Sequence, residues 1–142
     1  MALTGTYERS IDAKSRVAIP KRLLQDFGEG DLESLFIAPG TERSLVLYSP
    51  AGFDALAQKL AERSGHQNFL RLFYSKAERA DLDGQGRIRI PERLSEFAGL
   101  SKDAYLLGIQ DHIEVWDRAI WDEYVARTSP RFDELAAEVF GQ

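Results

Sequence analysis

Two short segments hold the residue types best suited to chemistry. Residues 9–22 carry Arg9, Lys14, Arg16, Lys21 and Arg22 against Asp12 alone, a local charge of +4. Residues 79–93 carry Arg79, Arg87, Arg89 and Arg93 against Asp81, Asp83 and Glu92, a local charge of +1. Cations gathered on a loop and at an adjoining helix start can neutralise phosphates, and a guanidinium fork can also read guanine edges in a major groove. In each segment an aspartate stands four residues before an arginine, as Asp12/Arg16 and Asp83/Arg87. A contact within the pair would fix the shape of a tight loop and leave the other cations to meet a polyanion. The same pairs also read as purely architectural, with the charges as a solvated face. Residue types alone leave both readings open.

These segments are two copies of one pattern. Residues 11–23 and 82–94 align at an offset of 71, with Asp12/Asp83, Arg16/Arg87, Ile19/Ile90, Pro20/Pro91, Arg22/Arg93 and Leu23/Leu94 identical. Gly28/Gly99 continues the register, and residues 44–54 then match 112–122 at an offset of 68. Each copy is about 50 residues, too short for a stable core of its own, so the halves are expected to build one core between them. Within a copy, Val17 and Ile19, or Ile88 and Ile90, alternate as a short half-buried strand. Pro20 and Pro91 end it and open short helices over 21–27 and 92–98, stopped by Gly28 and Gly99 in left-handed caps. Strand pairs follow at 35–38 with 45–48, turning at Pro39-Gly40, and at 104–107 with 113–116. Ser49-Pro50 and Asp117-Arg118 then cap helices, the first with Phe53, Leu56 and Leu60 at helical spacing. A linking helix is expected at 68–75. Ser129-Pro130 gives another cap signal before the stripe Phe132, Leu135, Ala136 and Val139.

The 142 residues carry 18 Lys+Arg against 23 Asp+Glu, a net charge of −5. The acidity is uneven: −1 over residues 1–50, +2 over 51–76 and −6 over 77–142. A nucleic-acid role therefore has to come from local charge. With 0 cysteines there is no disulfide, thiolate nucleophile or Cys-ligated zinc, and a reducing, intracellular home is expected. The N-terminus reads as no secretory signal, and no apolar run approaches the ~18 residues of a membrane span. His66 and His112 are the only histidines, and no nucleophile elbow, Walker loop or dinucleotide fingerprint is present, so catalysis, cofactors and a small-molecule substrate find no anchor. A calcium loop over Asp81–Glu92 is a rival, with acids at loop positions 1 and 3, Gly86 at 6 and Glu92 at 12. Its weakness is Arg89 and Pro91, and the first copy offers no partner site. A second rival is a non-DNA oligomeric module, using Trp116, Trp121, Tyr124 and the Phe132/Phe140 stripe either as a subunit interface or as core.

The two runs Asp12-Ala13-Lys14-Ser15-Arg16-Val17-Ala18-Ile19-Pro20 and Asp83-Gly84-Gln85-Gly86-Arg87-Ile88-Arg89-Ile90-Pro91, in register over the whole chain, resemble the tandem SpoVT-AbrB domains of the MraZ family of bacterial regulators. The resemblance implies an α+β fold of two intertwined AbrB-like swapped-hairpin β-barrel halves, a pseudo-dimer with peripheral helices. Its expected layout is domain 1 at 5–50, linking helices at 51–76, domain 2 at 77–120 and a C-terminal helical segment at 121–142. It implies a transcriptional regulator of the cell-division and cell-wall gene cluster, in the cytoplasm and nucleoid. Such a regulator binds repeated boxes of double-stranded promoter DNA upstream of its own operon as a ring-like homo-oligomer. DNA contacts map onto Arg16, Lys14, Arg22, Lys21 and Arg87, with Asp12, Asp83 and Gly86 shaping the loops. One departure is Ser15, which stands where Gly86 keeps the family's glycine. If that position needs a positive φ, serine costs of order 1 kcal/mol, which predicts a somewhat different turn in the first loop.

Overall fold

The computed structural model describes residues 1–141. The first half runs β1 (Thr6–Ser10), β2 (Arg16–Ala18), α1 (Lys21–Asp26), β3 (Ser34–Pro39), β4 (Leu45–Tyr48), α2 (Pro50–Ala61) and α3 (Gln67–Lys76). The second repeats the order as β5 (Glu78–Asp81), β6 (Arg87–Arg89), α4 (Glu92–Phe97), β7 (Asp103–Ile109), β8 (His112–Asp117) and α5 (Arg118–Thr128). A 3-10 turn, Ser129–Arg131, then leads into α6 (Phe132–Phe140).

The sheet shows how the halves are joined. Six strands lie in the order β1-β7-β8-β4-β3-β5, all pairs antiparallel, with β2 and β6 in a separate two-stranded ribbon. Each half thus gives its first strand to the other: β1 pairs with β7, and β5 with β3. One hydrophobic core results, fed by both copies at equivalent positions: Val17 and Ile88, Leu23 and Leu94, Leu45 and Ile113. A smaller cluster on the other face of the sheet joins Ala38, Val46 and Tyr48 to Phe73, under α2 and α3.

The fold is α+β, as expected, but no closed barrel forms. The main sheet is open, with β1 and β5 as its edges. β2 and β6 are three residues each, and Pro20 and Pro91, two residues beyond their ends, lack the N–H needed to extend a ladder. The ribbon is therefore too short to bridge one edge to the other.

Local signals explain most of the elements. Ser49 accepts the Gly52 N–H at the start of α2 and is itself bonded to Glu29; Asp117 accepts the Ala119 and Ile120 N–H groups at the start of α5. Gly28 and Gly99, at φ 72° and 60°, close α1 and α4 in left-handed caps. Ser129-Pro130 departs from its expected role as a cap. Pro130 interrupts the backbone ladder after α5, the next residues make only the 3-10 turn, and α6 starts at Phe132 without a side-chain cap. Trp116, Trp121 and Tyr124 pack on one another, with Trp116 to Trp121 at 4.9 Å, as packing between β8 and α5.

Candidate nucleic-acid interface

The two loops singled out by their charge sit side by side. β2 and β6 pair with Arg16 opposite Arg89, Val17 opposite Ile88 and Ala18 opposite Arg87. The ribbon is extended by the Ile19 N–H donating to Gly86 O and the Ile90 N–H donating to Ser15 O, both at 2.9 Å. Val17 and Ile88 are buried in the common core. Strand alternation then turns Arg16, Ala18, Arg87 and Arg89 to the other face. The ribbon is thus pinned to the core on one side and lined with guanidinium groups on the other.

Each loop is held by the same set of bonds. Asp12 Oδ1 accepts the Lys14 and Arg16 N–H groups at 2.9 and 2.8 Å, and Asp12 Oδ2 accepts Arg16 Nε at 2.8 Å. Asp83 Oδ1 accepts the Gln85 and Arg87 N–H groups at 2.9 Å each, and its Oδ2 accepts Arg87 Nε at 2.9 Å. The Arg16 N–H, opposed in part by desolvation and supported by the Arg16 side chain and Lys14 N–H, holds the Asp12 carboxyl below its ordinary range. The Arg87 N–H does the same for Asp83. Both carboxylates stay ionised, and both arginines use Nε on them. Arg87 Nη1 also lies 3.9 Å from Asp12 Oδ2. Asp12 therefore sits between the guanidinium groups of the two copies and offsets the repulsion of cations gathered on one ribbon.

Ser15 takes φ 62° and Gly86 takes φ 73°. The expected difference between the two turns is absent: both loops close by the same bond, Ser15 N–H to Asp12 O and Gly86 N–H to Asp83 O. The aspartate bonds and the ribbon pairing over-determine the turn and hold serine in a region that costs it energy.

The remaining cations differ in placement. Lys14 and Lys21 are exposed with no ion-pair partner among the described residues, and Arg22 reaches Asp26 only at 3.9 Å. In the second copy Arg79 lies 3.4 Å from Asp81, and Arg93 donates to Glu78 at 3.0 Å. Arg89 is exposed and unpaired among the described residues, beside Arg16 across the ribbon. Arg89 is not among the residues that the resemblance gives to DNA, although Arg87-Ile88-Arg89 is an alternation that turns both arginines to one face.

At the positions of the rival calcium loop the acids do not converge. Asp81 lies within β5, Asp83 is engaged by its own loop, and Glu92 opens α4. Among the described residues no group of three or more His, Asp or Glu is placed to hold a metal. No helix among them is long and apolar enough to cross a membrane.

The profile of the family described as "MraZ protein, putative antitoxin-like" matches the chain twice, over residues 2–74 and 73–142. The chain belongs to the MraZ family. Relatives each named transcriptional regulator MraZ align over 95% of it: one from Symbiobacterium thermophilum at 36% identity, covering 98% of that protein, and one from Acetivibrio thermocellus at 38%, covering 94%. A third, from Moorella thermoacetica, is 34% identical and is also covered over 94% of its length. The double match makes the MraZ chain a tandem repeat, in agreement with the offset of 71 between Asp12 and Asp83.

Proposed function

We propose that this protein is a DNA-binding transcriptional regulator whose β2–β6 ribbon enters the major groove of double-stranded promoter DNA. The observation that carries this reading is the union of both Asp–Arg loops in one ribbon, its apolar face buried and its outer face holding Arg16, Arg87 and Arg89. A two-stranded ribbon fits a major groove, and guanidinium forks can bond guanine O6 and N7 there. Arg16 and Arg87 meet bases, while Lys14, Lys21 and Arg22 neutralise phosphates on the side of the first copy. Arg89 joins Arg16 across the ribbon. Asp12, Asp83 and Gly86 set the loop shape. Membership of the MraZ family and the names of its relatives support the regulatory role.

The reading extends to quaternary structure. Three paired residues make a ribbon about 10 Å long, which covers about three base pairs of B-DNA. So short a reading head gains specificity when several copies engage repeated boxes, by raising effective concentration. We infer a ring-like homo-oligomer on such boxes upstream of its own operon in a cell-division and cell-wall gene cluster, within the cytoplasm and nucleoid. Residues 5–50 and 77–120 are the two SpoVT-AbrB-like domains, and the reciprocal exchange of β1 and β5 is the swapped-hairpin pseudo-dimer. Residues 51–76 link the domains, and 121–142 form the C-terminal helical segment, of which Gln142 lies outside the described residues.

The test is a gel shift on the DNA upstream of the gene over stepped salt concentrations. Repeated boxes should be bound in preference to scrambled ones, with affinity falling linearly in log–log form with salt. Equal affinity for scrambled boxes would sink the sequence-specific reading.

A further inference from the structure

The ribbon has a local two-fold symmetry that its residues obey only in part. The repeat offset of 71 makes Arg16 equivalent to Arg87, Val17 to Ile88 and Ala18 to Arg89. Antiparallel pairing puts Val17 opposite Ile88, Arg16 opposite Arg89 and Ala18 opposite Arg87. An axis through the Val17–Ile88 pair therefore exchanges the two strands. On the outer face it exchanges Arg16 with Arg87, which are held alike by Asp12 and Asp83 at 2.8 and 2.9 Å. It also exchanges Ala18 with Arg89, and there the symmetry fails. Three corners of the face carry a guanidinium group and the fourth carries a methyl group.

The three arginines are not equally committed. Arg16 and Arg87 each give Nε to an aspartate, whereas Arg89 is exposed and has no ion-pair partner among the described residues. Its whole fork is open to a ligand. Residues two apart on a strand are separated by about 7 Å, about two base-pair steps of B-DNA. The Arg16–Arg89 end and the Ala18–Arg87 end of the ribbon thus face different base pairs. One end offers two forks, and the other offers a fork and a methyl group. Because Val17 and Ile88 are buried in the core, the face that carries Arg89 is the one turned to the groove floor when the ribbon enters a major groove.

We propose that Arg89 is a specificity-determining residue that gives the ribbon a direction on DNA. It selects a guanine on one side of the box, and Ala18 makes no such demand at the symmetry-related base on the other side. A two-fold symmetric reader matches a palindromic site, and with Arg16 and Arg87 alone the ribbon would be such a reader. Arg89 makes the two ends of the site distinguishable, while the Ala18 methyl suits a thymine methyl better than a guanine edge. Arg89 orients the protein only if the ribbon enters the groove as proposed above, so its role rests on that reading.

The test incubates the full chain with a duplex library that has a randomised central segment, then recovers and sequences the bound duplexes. The parent should enrich a motif that differs from its own reverse complement, with a guanine demanded on one side only. Arg89→Ala should lose about tenfold of discrimination at that guanine and leave a self-complementary motif. Ala18→Arg should reach self-complementarity by the opposite route, through a second guanine on the other side. Arg89→Gln should move the preference at that position from guanine to adenine, a switch that a contact to phosphate would not produce. Arg89 is exposed, so far-UV circular dichroism of its variants should match the parent; if Ala18→Arg does not fold, the two Arg89 variants decide. A self-complementary parent motif, or an Arg89 variant that keeps the one-sided guanine, would overturn the role of Arg89 and leave the DNA reading standing. A parent that enriches no sequence would overturn both.

Discussion

Asp12 and Asp83 accept the same three bonds within 0.1 Å of each other, whereas the charges around them diverge. In the first copy Lys14 and Lys21 stand exposed with no ion-pair partner among the described residues, and Arg22 has Asp26 only at 3.9 Å. In the second, the residue at the place of Lys14 is Gln85, and Arg79 and Arg93 are held by Asp81 and Glu78. Duplication therefore kept the loop and changed its charge. The bonds from Asp to the turn are what make a loop of this shape, so either copy losing them would lose its ribbon strand. Charges whose side chains the aspartates do not bond differ between the two copies, Lys14 within the turn included. The aspartates set the geometry in both copies, whereas the cations around them differ, and it is these cations to which the proposed function gives the contacts with DNA.

The strongest way to break this comparison is to remove each arginine in turn. Arg16→Ala should cost about 2 to 3 kcal/mol of DNA affinity, roughly thirty- to over a hundredfold, since it removes the proposed base contact and leaves Asp12 with Arg87 Nη1 at 3.9 Å as its remaining cation. Arg87→Ala should cost less, about tenfold, because fewer free cations surround it. Fluorescence anisotropy on a single box measures both, and equal losses would show that the unequal charges do not matter. A finer test exchanges the neighbours. Lys14→Gln should lower the salt slope of binding by about 0.9, and Gln85→Lys should raise it by as much; no change in either would place these side chains away from the backbone of the DNA.

Much of this arrangement was legible in the sequence, and the exceptions have physical reasons. The repeat, the proline-opened helices, the glycine caps and both N-caps follow from local rules that act within a few residues. The Asp–Arg pairing was legible because four residues is the span of the loop. The open sheet was not, since closure depends on the length of β2 and β6, and three-residue strands look the same in sequence whether or not a barrel closes around them. Nor could spacing show that the two loops meet, because the ribbon is made by residues 71 apart, so Arg89 was left outside the site. The β3–β4 turn is another such case. Its left-handed residues are Glu42 and Arg43, not glycine, and Pro39 belongs to β3. The stripe on α6 was visible, but whether it packed on the core was a question of where the chain leads after Pro130.

The turns offer a comparison of strain. Ser15 and Gly86 hold nearly the same left-handed φ, so Ser15→Gly should relieve strain that glycine does not feel. The gain is offset in part by glycine's greater freedom when unfolded. The net stabilisation should be about 0.5 to 1 kcal/mol, a rise in melting temperature of about 1 to 4 °C. Gly86→Ser should lower it by a similar amount. A calorimetric scan in which Ser15→Gly melts lower would show that the serine makes a favourable contact that outweighs its backbone cost.

The smallest effect expected comes from the hairpins, where Ser44 and His112 occupy matching places at an offset of 68. Ser44 donates to Thr41 O, a bond indifferent to pH near neutrality. His112 Nδ1 lies 2.8 Å from Asp111 and Nε2 3.3 Å from Glu114, with the ring stacked on Tyr48. Burial alone would push the imidazole pKa down, but hydrogen bonds and charge from Glu114 and Asp111 outweigh it, and the pKa is raised above its ordinary value. A group bound more tightly to its proton when folded stabilises the fold fully below its unfolded pKa and loses that contribution as pH rises through the folded one. Stability should therefore decline slightly as pH rises above the ordinary imidazole range and through the raised value of this histidine. His112→Ser gives the second hairpin the residue of the first, and it should flatten that decline. If chemical denaturation of the parent instead showed stability rising across this range, the neutral imidazole would be the better bound form, and burial by Tyr48 would dominate over the two carboxylates.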